Sequence, residues 1–407
     1  MARLDGLSAS APAYPVATVL GITAAAGLVP LNSTMIAVAL PTIAADFEIS
    51  TGSVSVLITV YLVAMLVGQP IAGRISDAVG NRRTVTLALV GMIVTSCAGA
   101  LAPTFALLVL ARLAQALCAA ALGPSVQALL RSVTPPGEQG RAFGLMGVVL
   151  GVGAATGPVV GGVLTQVAGW EAIFLVNVPI AAGALVAARR ANVARRDAPE
   201  SGSSDAPVTD ERILNRVFVS CFSVQALSTL AQYALLLLTP IILDARGWAT
   251  GSIGLVLSAL TIGMIVVGPA GGRAGDRYGR RRPIGFGLVV ATLATVILFA
   301  AGPTVAVALL VVALALFGLG LGAATPNLMS SALESVPMDR TGSAAGVLST
   351  SRYVGSLTTS LVVAAVVTAD AGGTQAVLAL SSVAMVGSVI VASRLPSAPV
   401  ETSRTPQ

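Results

Sequence analysis

The sequence predicts an all-α polytopic membrane protein: twelve transmembrane helices in two pseudo-symmetric six-helix bundles. Three observations predict it. The first is composition. The 407 residues are 55% hydrophobic and 10% charged, with a mean hydropathy of +0.91, a balance soluble domains do not carry. The second is segmentation. A helix needs about 20 apolar residues to cross the hydrocarbon core. Six such runs precede residue 189, at 16–43, 53–73, 84–102, 104–130, 141–168 and 171–188; six follow, at 213–243, 251–272, 283–301, 304–333, 341–367 and 374–393. The third is an internal repeat. Gly73-Arg-Ile-Ser-Asp77-Ala-Val-Gly80-Asn-Arg82-Arg83 returns as Gly272-Arg-Ala-Gly-Asp276-Arg-Tyr-Gly279-Arg-Arg281-Arg282, an offset of 199 residues (276 − 77), and the pairs Pro41/Pro240 and Pro70/Pro269 keep that offset. Several features in one register are the mark of a duplication.

Taken in order, residues 1–15 read as a cytoplasmic tail and 16–188 as the N-terminal bundle. The first apolar run is too long for a signal-peptide core and many spans follow it, so it reads as the first membrane helix. Residues 189–212, rich in Arg, Asp, Ser, Pro and Gly, read as a flexible cytoplasmic linker. The C-terminal bundle follows at 213–393 and a cytoplasmic tail at 394–407. The later helices repeat at an offset of 202 residues (326 − 124): Pro124/Pro326, Pro135/Pro337, Gly140/Gly342, Gly144/Gly346 and Gly153/Gly355. Two parallel repeats joined by a linker are an architecture of alternating access.

Charge placement sets the orientation. The chain has no His and no Lys, so all 23 basic residues are Arg. Arg74, Arg82, Arg83, Arg131, Arg141, the linker cluster, Arg273 to Arg282, Arg340 and Arg394 fall at alternate loops. The opposite loops carry Asp46, Glu48, Glu171, Asp244 and Asp370, with Arg246 the one basic residue. That asymmetry puts both termini and the linker in the cytoplasm; the absence of Lys and the Ala, Val, Gly and Arg bias fit a GC-rich bacterial genome, so the expected location is a bacterial inner membrane. The net charge of +6 is therefore a topology signal; no basic stripe interleaved with aromatics suggests nucleic acid. Cys97, Cys118 and Cys221 fall inside spans and read as packing residues; without His they form no metal cluster. No phosphate loop or nucleophile–base pair stands in the sequence, so neither an enzyme nor a cofactor is expected. A membrane sensor would need a soluble domain or long loops, which these residues do not hold.

Six stretches carry the chemistry. In the two islands, Gly73 and Gly272 permit close helix contact, and Gly80 and Gly279 can take the positive φ of a tight turn. Asp77 and Asp276 can cap a helix N-terminus or pair with the neighbouring Arg, which pin that end at the bilayer surface. In the fifth span, Gly153-x-x-x-Gly157-Pro158-x-x-Gly161-Gly162 puts glycines four apart on one helix face, and Pro158 removes a backbone donor and favours a bend. Arg112, with Gln115 three residues on, sits mid-span in the fourth helix, and Arg352 lies inside the eleventh. A charge there costs about 2.5–3.5 kcal/mol on insertion scales, so each should face a cavity or a partner. The first span holds Asn32 and Thr34, and no carboxylate lies near the middle of any run.

On these motifs the chain resembles the major facilitator superfamily over nearly its whole length, and its drug-efflux, antiporter branch in particular. The island at Gly73 to Arg83 resembles that family's loop between helices 2 and 3. The resemblance implies a gate made of Gly73, Asp77, Gly80, Arg82 and Arg83, mirrored by Gly272, Asp276 and Gly279, with Asp77 facing the region near Arg340 to Gly342. The glycine–proline stretch resembles the antiporter motif and implies efflux, with Gly153, Gly157, Pro158, Gly161 and Gly162 forming a hinge and seal between the halves. Arg112-x-x-Gln115 resembles the fourth-helix motif linked to proton transfer, with Ala116 where the family has Gly. Trp170-Glu-Ala-Ile-Phe174-Leu-Val-Asn177-Val-Pro179 resembles the drug-efflux branch, mostly its fourteen-helix members. Leu31-Asn32-Ser-Thr34 through Pro41 resembles a drug-efflux motif that normally has Asp where Asn32 stands.

The expected function is secondary active transport, as an exporter of small organic compounds by alternating access; the alternative is uptake or exchange of a small anionic or neutral metabolite by the same fold. The expected cavity groups are Asn32, Thr34, Tyr61, Arg112, Gln115, Gln225, Gln232, Tyr233 and Arg352. With two guanidinium groups and no fixed anion, such a cavity disfavours permanent cations and favours anionic or neutral substrates. Coupling to protons stays open between an edge carboxylate, a protonatable substrate and none. The expected partners are a small-molecule substrate, membrane lipid and any coupling proton, with the chain acting as a monomer.

Overall fold

The computed structural model describes residues 16–54, 56–135, 137–190, 214–248, 250–366 and 371–396. Twelve helices lie among them: α1 (Val16–Asp46), α2 (Val56–Val79), α3 (Asn81–Ala100), α4 (Phe105–Val133), α5 (Gln139–Ala168), α6 (Asn177–Arg190), α7 (Arg216–Asp244), α8 (Thr250–Tyr278), α9 (Arg281–Ala301), α10 (Val307–Glu334), α11 (Thr341–Val366) and α12 (Ala371–Ala392). Short helical turns at Thr51–Val54, Ala172–Leu175 and Met338–Arg340 fill connections, and no strand occurs among the described residues. Arg189 and Arg190, expected in the linker, end α6. The rest of the linker and the first tail lie outside the described residues, as does the second tail beyond residue 396.

Composition accounts for most of these helices. Among the described residues nine are long and apolar enough to cross a membrane by themselves, and a tenth is formed by Gln139–Ala154 and Val159–Ala168, joined at a bend of 43°. The bend spans the stretch that holds Gly157 and Pro158. A proline supplies no N–H to the turn before it, so a bend there has an identifiable cause. The remaining two are special cases. Residues Ala172–Ala188 are apolar but short, and the helix breaks inside them at Val176, beside the Asn177 amide, which donates to the carbonyls of Ile173 (3.3 Å) and Phe174 (3.1 Å). α11 is long, but it carries Arg352 and many Ser and Thr residues.

Helices α2 and α8 run further than hydropathy predicts. Each continues through its charged island, so Gly73 to Val79 and Gly272 to Tyr278 are helical. The reversal into the next helix is made by Gly80 alone at φ 99° in the first half, and by Gly279 at φ 84° with Arg280 in the second. A side chain at either φ would be strained.

Packing repeats with the sequence. In the N-terminal bundle α1 lies on α5 and α6, α2 on α4, and α3 on α4 and α6. In the C-terminal bundle α7 lies on α11 and α12, α8 on α10, and α9 on α10 and α12. The bundles meet where α2 crosses α11 and α8 crosses α5. Outward positions stay apolar, as with Leu87, Val159, Phe286 and Leu361, which suits a hydrocarbon surrounding rather than water.

The end remote from the islands is tied differently in each half. Trp170 is 4% exposed; its Nε1 donates to Asp46 Oδ2 (3.0 Å) and its ring lies 5.6 Å from Phe47 and 6.1 Å from Phe174. It is a clamp between the ends of α1 and α5. In the other half Arg246 does this work by donating to the carbonyls of Pro303 (2.5 Å) and Val305 (2.7 Å).

Candidate functional site

The two islands lie at one end of the molecule and make reciprocal contacts between the bundles. Asp77 Oδ1 accepts from the backbone N of Gly342 (2.6 Å), and Oδ2 accepts from the N of Ser343 (2.7 Å) and from its hydroxyl. A carboxylate of the first bundle thus caps α11 of the second. Asp276 does the converse: it accepts from the N of Gly140 (2.9 Å) and of Arg141 (2.9 Å), capping α5. Unpaired N–H groups and the positive end of the helix dipole favour an anion at both places. The helices approach closely enough that a Cβ on Gly73 would fall on the Gly342 carbonyl oxygen, and one on Gly272 on that of Gly140.

Further polar contacts reinforce this end. Arg280 donates to Asp276 (2.5 Å) and to Glu334 (2.7 Å). Arg131, buried at the end of α4, reaches across to the Thr341 hydroxyl (2.7 Å) and the Val336 carbonyl (3.0 Å). Gln127 donates to the Ser349 hydroxyl (3.2 Å) and Gln69 to the Tyr353 hydroxyl (3.5 Å), both from the first bundle to α11. The sequence reading gave Arg131 a topological role only and passed over Gln69 and Gln127. A signal for the glutamines existed: they are long amides inside apolar runs, where a partner on another helix is the common outcome. Arg82 and Arg83 are exposed at the start of α3.

Arg112 finds its partners within its own bundle. It is 1% exposed and enclosed within the N-terminal bundle. One terminal nitrogen donates to Asn32 Oδ1 and to Gln115 Oε1 (2.8 Å), and the other donates to the Asn32 carbonyl (3.2 Å). Its guanidinium carbon lies 4.4 Å from the centre of the Tyr61 ring. Gln115 passes on to the Ser96 hydroxyl (2.9 Å), and Tyr61 donates to the Val29 carbonyl (3.1 Å). Asn32, Tyr61, Arg112 and Gln115, with Ser96, therefore form one knot joining α1, α2, α3 and α4. The reason is the cost of an unsolvated cation: neutral acceptors and an aromatic face at hand hold it inside.

Three more expected cavity groups bond within their own bundle. Thr34 donates to the carbonyls of Pro30 (2.9 Å) and Leu31 (3.2 Å) on its own helix. Gln225 donates to Thr229 (3.3 Å) and Gln232 to the Met264 sulfur (3.7 Å). Tyr233 and Arg352 differ. Tyr233 is 40% exposed, Arg352 is partly exposed, and both lie within electrostatic reach of Tyr353 at the α2–α11 contact.

The glycine motif is also placed otherwise than expected. A Cβ on Gly153 would meet the Gly27 carbonyl, on Gly157 the Thr34 side chain, on Gly161 Met35 and on Gly162 Val38. All four therefore face α1 in the same bundle. The contact between halves is made by a second set on α5: Gly140 against Gly272, Gly144 against Gly268, and Gly151 against Ile265. The shift from Gly151 to Gly153 turns the helix by about 200°, so the two sets point to nearly opposite sides.

Among the described residues no group of three or more His, Cys, Asp or Glu could hold a metal ion. The arrangement is thus two like-built bundles, closed at the arginine-rich end by reciprocal caps, with the partly exposed Arg352 next to Tyr353 of the α2–α11 contact.

Comparison with known proteins agrees with this architecture. The chain matches the Major Facilitator Superfamily over residues 22–360 and again over 221–406. It is 30% identical over 398 residues to an uncharacterized MFS-type transporter of Bacillus subtilis, YvkA, covering 85% of this chain and 89% of that protein. It is 39% identical over 173 residues to the tetracenomycin C resistance and export protein of Streptomyces glaucescens, which covers 42% of this chain and 32% of that one. Among solved structures, a bacterial homologue of the iron transporter ferroportin in its outward-facing state superposes with a TM-score of 0.75 at 16% identity, over 94% of this chain and 99% of that one. The chain is a multi-pass membrane transporter rather than an enzyme, and it belongs to the Major Facilitator Superfamily.

Proposed function

We propose that this protein exports small organic compounds, anionic or neutral rather than cationic, by rocking its two bundles about a compartment between them. The observation that carries the mechanism is the pair of reciprocal caps at Asp77 and Asp276. Each joins the two bundles, so each is broken when the bundles part at that end. Such contacts bias a two-state equilibrium by their own strength. With the arginine-rich end taken as cytoplasmic, the conformation is closed toward the cytoplasm. Export is supported by the antiporter-like glycine motif and by similarity to a resistance and export protein.

The substrate class rests on Arg352. It is partly exposed and adjoins Tyr353, whose hydroxyl accepts from Gln69 across the bundles, and it suits an anionic or hydrogen-bonding group on the substrate. Proton coupling has few candidates. Asp46, Asp77, Asp276 and Glu334 are already hydrogen bonded at the two ends, and position 32 holds an amide. Any proton exchanged by Asp77 or Asp276 would therefore weaken a cap, which links protonation to opening.

The test is accumulation of a panel of anionic, neutral and cationic fluorescent compounds in cells with and without the protein. Export predicts lower accumulation of some anionic or neutral members. Higher accumulation of the same members would make the protein an uptake or exchange system. Selective loss of cations, unaltered by Arg352→Ala, would refute the substrate class.

A further inference from the structure

A second site lies outside the compartment. At the arginine-rich end of the C-terminal bundle a cavity of about 640 Å³ opens between α9 and α12. Arg277, Arg281 and Arg282 line one part of it, and Gly285, Val289 and Val389 line another. Among the described residues that line it, none is a carboxylate. The island's one acid, Asp276, caps α5, and Glu334 at the end of α10 pairs with Arg280. The lining thus places cations near the helix turn and an apolar wall further into the membrane-spanning part of α9, with a Cβ on Gly285 meeting open space.

The local helix chemistry points the same way. α9 begins with Arg281 and Arg282, follows Arg280, and has no acidic residue in its first turn. Cations at the positive end of a helix repel its dipole, and an anion seated there is favoured by dipole and guanidinium groups together. A basic pocket between transmembrane helices near the bilayer surface suits a lipid phosphate.

We propose that this cavity binds an anionic phospholipid of the adjoining leaflet. Its phosphodiester engages Arg277, Arg281 and Arg282, and an acyl chain follows Val289 and Val389. Charge complementarity selects the head, and the apolar wall selects a lipid over free phosphate. The occupied site would hold the α8–α9 turn from outside, next to the Arg280 contacts that reinforce the cap on the inside.

The experiment is native mass spectrometry of the full-length protein in detergent doped with phosphatidylglycerol, phosphatidylcholine or inorganic phosphate. The expected result is retention of one phosphatidylglycerol, displaced by neither of the others. Retention should fall at least about tenfold in Arg277→Gln/Arg281→Gln/Arg282→Gln. It should also fall in Gly285→Phe, which fills the cavity without changing charge and decides the matter if the triple variant does not fold. Arg82→Gln/Arg83→Gln, in the other island, should keep it. Equal loss in both islands would reduce the effect to diffuse attraction and overturn the proposal, as would displacement by inorganic phosphate or undiminished retention in Gly285→Phe.

Discussion

Replacing Asp77 by Ala should open the arginine-rich end. The side chain accepts two backbone N–H bonds and one hydroxyl from the first turn of α11. Losing an Asp cap costs about 0.5–2 kcal/mol, and a charge at a partly buried helix terminus adds up to about 2 kcal/mol. Water repays part of both once the end is open, so a net bias of about 2 kcal/mol is reasonable. At about 1.4 kcal/mol per tenfold, that raises the open population about 30-fold. Asp276→Ala should act alike on α5, and since the two caps share no partner their effects should add. A suitable assay replaces Cys97, Cys118 and Cys221 and places one thiol at Ser349, which is 4% exposed and bonded across the bundles to Gln127. Its modification by a membrane-permeant maleimide should accelerate by about the shift in population. Spin labels at Glu48 and Ala245, both at the end remote from the islands, should move closer in the same variant. An unchanged labelling rate in folded Asp77→Ala protein would refute the argument that the caps hold this end closed.

Other substitutions separate the knot, the glycines and the compartment. Arg112→Ala leaves the buried acceptors of Asn32 and Gln115 without their donor, at about 1–3 kcal/mol each, so the melting temperature in detergent should fall markedly, whereas Arg352→Ala should leave it nearly unchanged. Gly272→Leu drives a side chain into the Gly140 carbonyl; the protein should fold but label at Ser349→Cys as if held open. Gly157→Val strikes Thr34 within one bundle and should cost about 1–3 kcal/mol of stability by overpacking, read as a lower melting temperature without faster labelling.

Much of the fold was legible because membrane helices must satisfy their own backbone, so apolar runs map onto helices and a repeat in sequence becomes a repeat in space. The islands were legible for the same reason: Asp77 and Asp276 keep one offset, and Gly342 and Gly140 keep the matching one. The orientation of α4 was not. The cost of a mid-span Arg demands a cavity or a partner, and the acceptor at Asn32 is 80 positions away on another helix, so nothing local to Arg112 chooses between them. The two faces of α5 were half legible. A single glycine motif hid the change of phase between Gly151 and Gly153, which sends one set toward α8 and the other toward α1. The lengths of α2 and α8 were underread because charged residues at the bilayer surface end an apolar run without ending a helix.

The claim on which the function turns is that Arg352 selects what enters between the bundles. Equilibrium binding of matched anionic, neutral and cationic compounds to the purified protein and to Arg352→Ala tests it most directly. Tighter binding of an anionic member, lost in the variant while its melting temperature holds, is the predicted result. Equal binding of that anion by both proteins, or a preference for the cation in each, would contradict it.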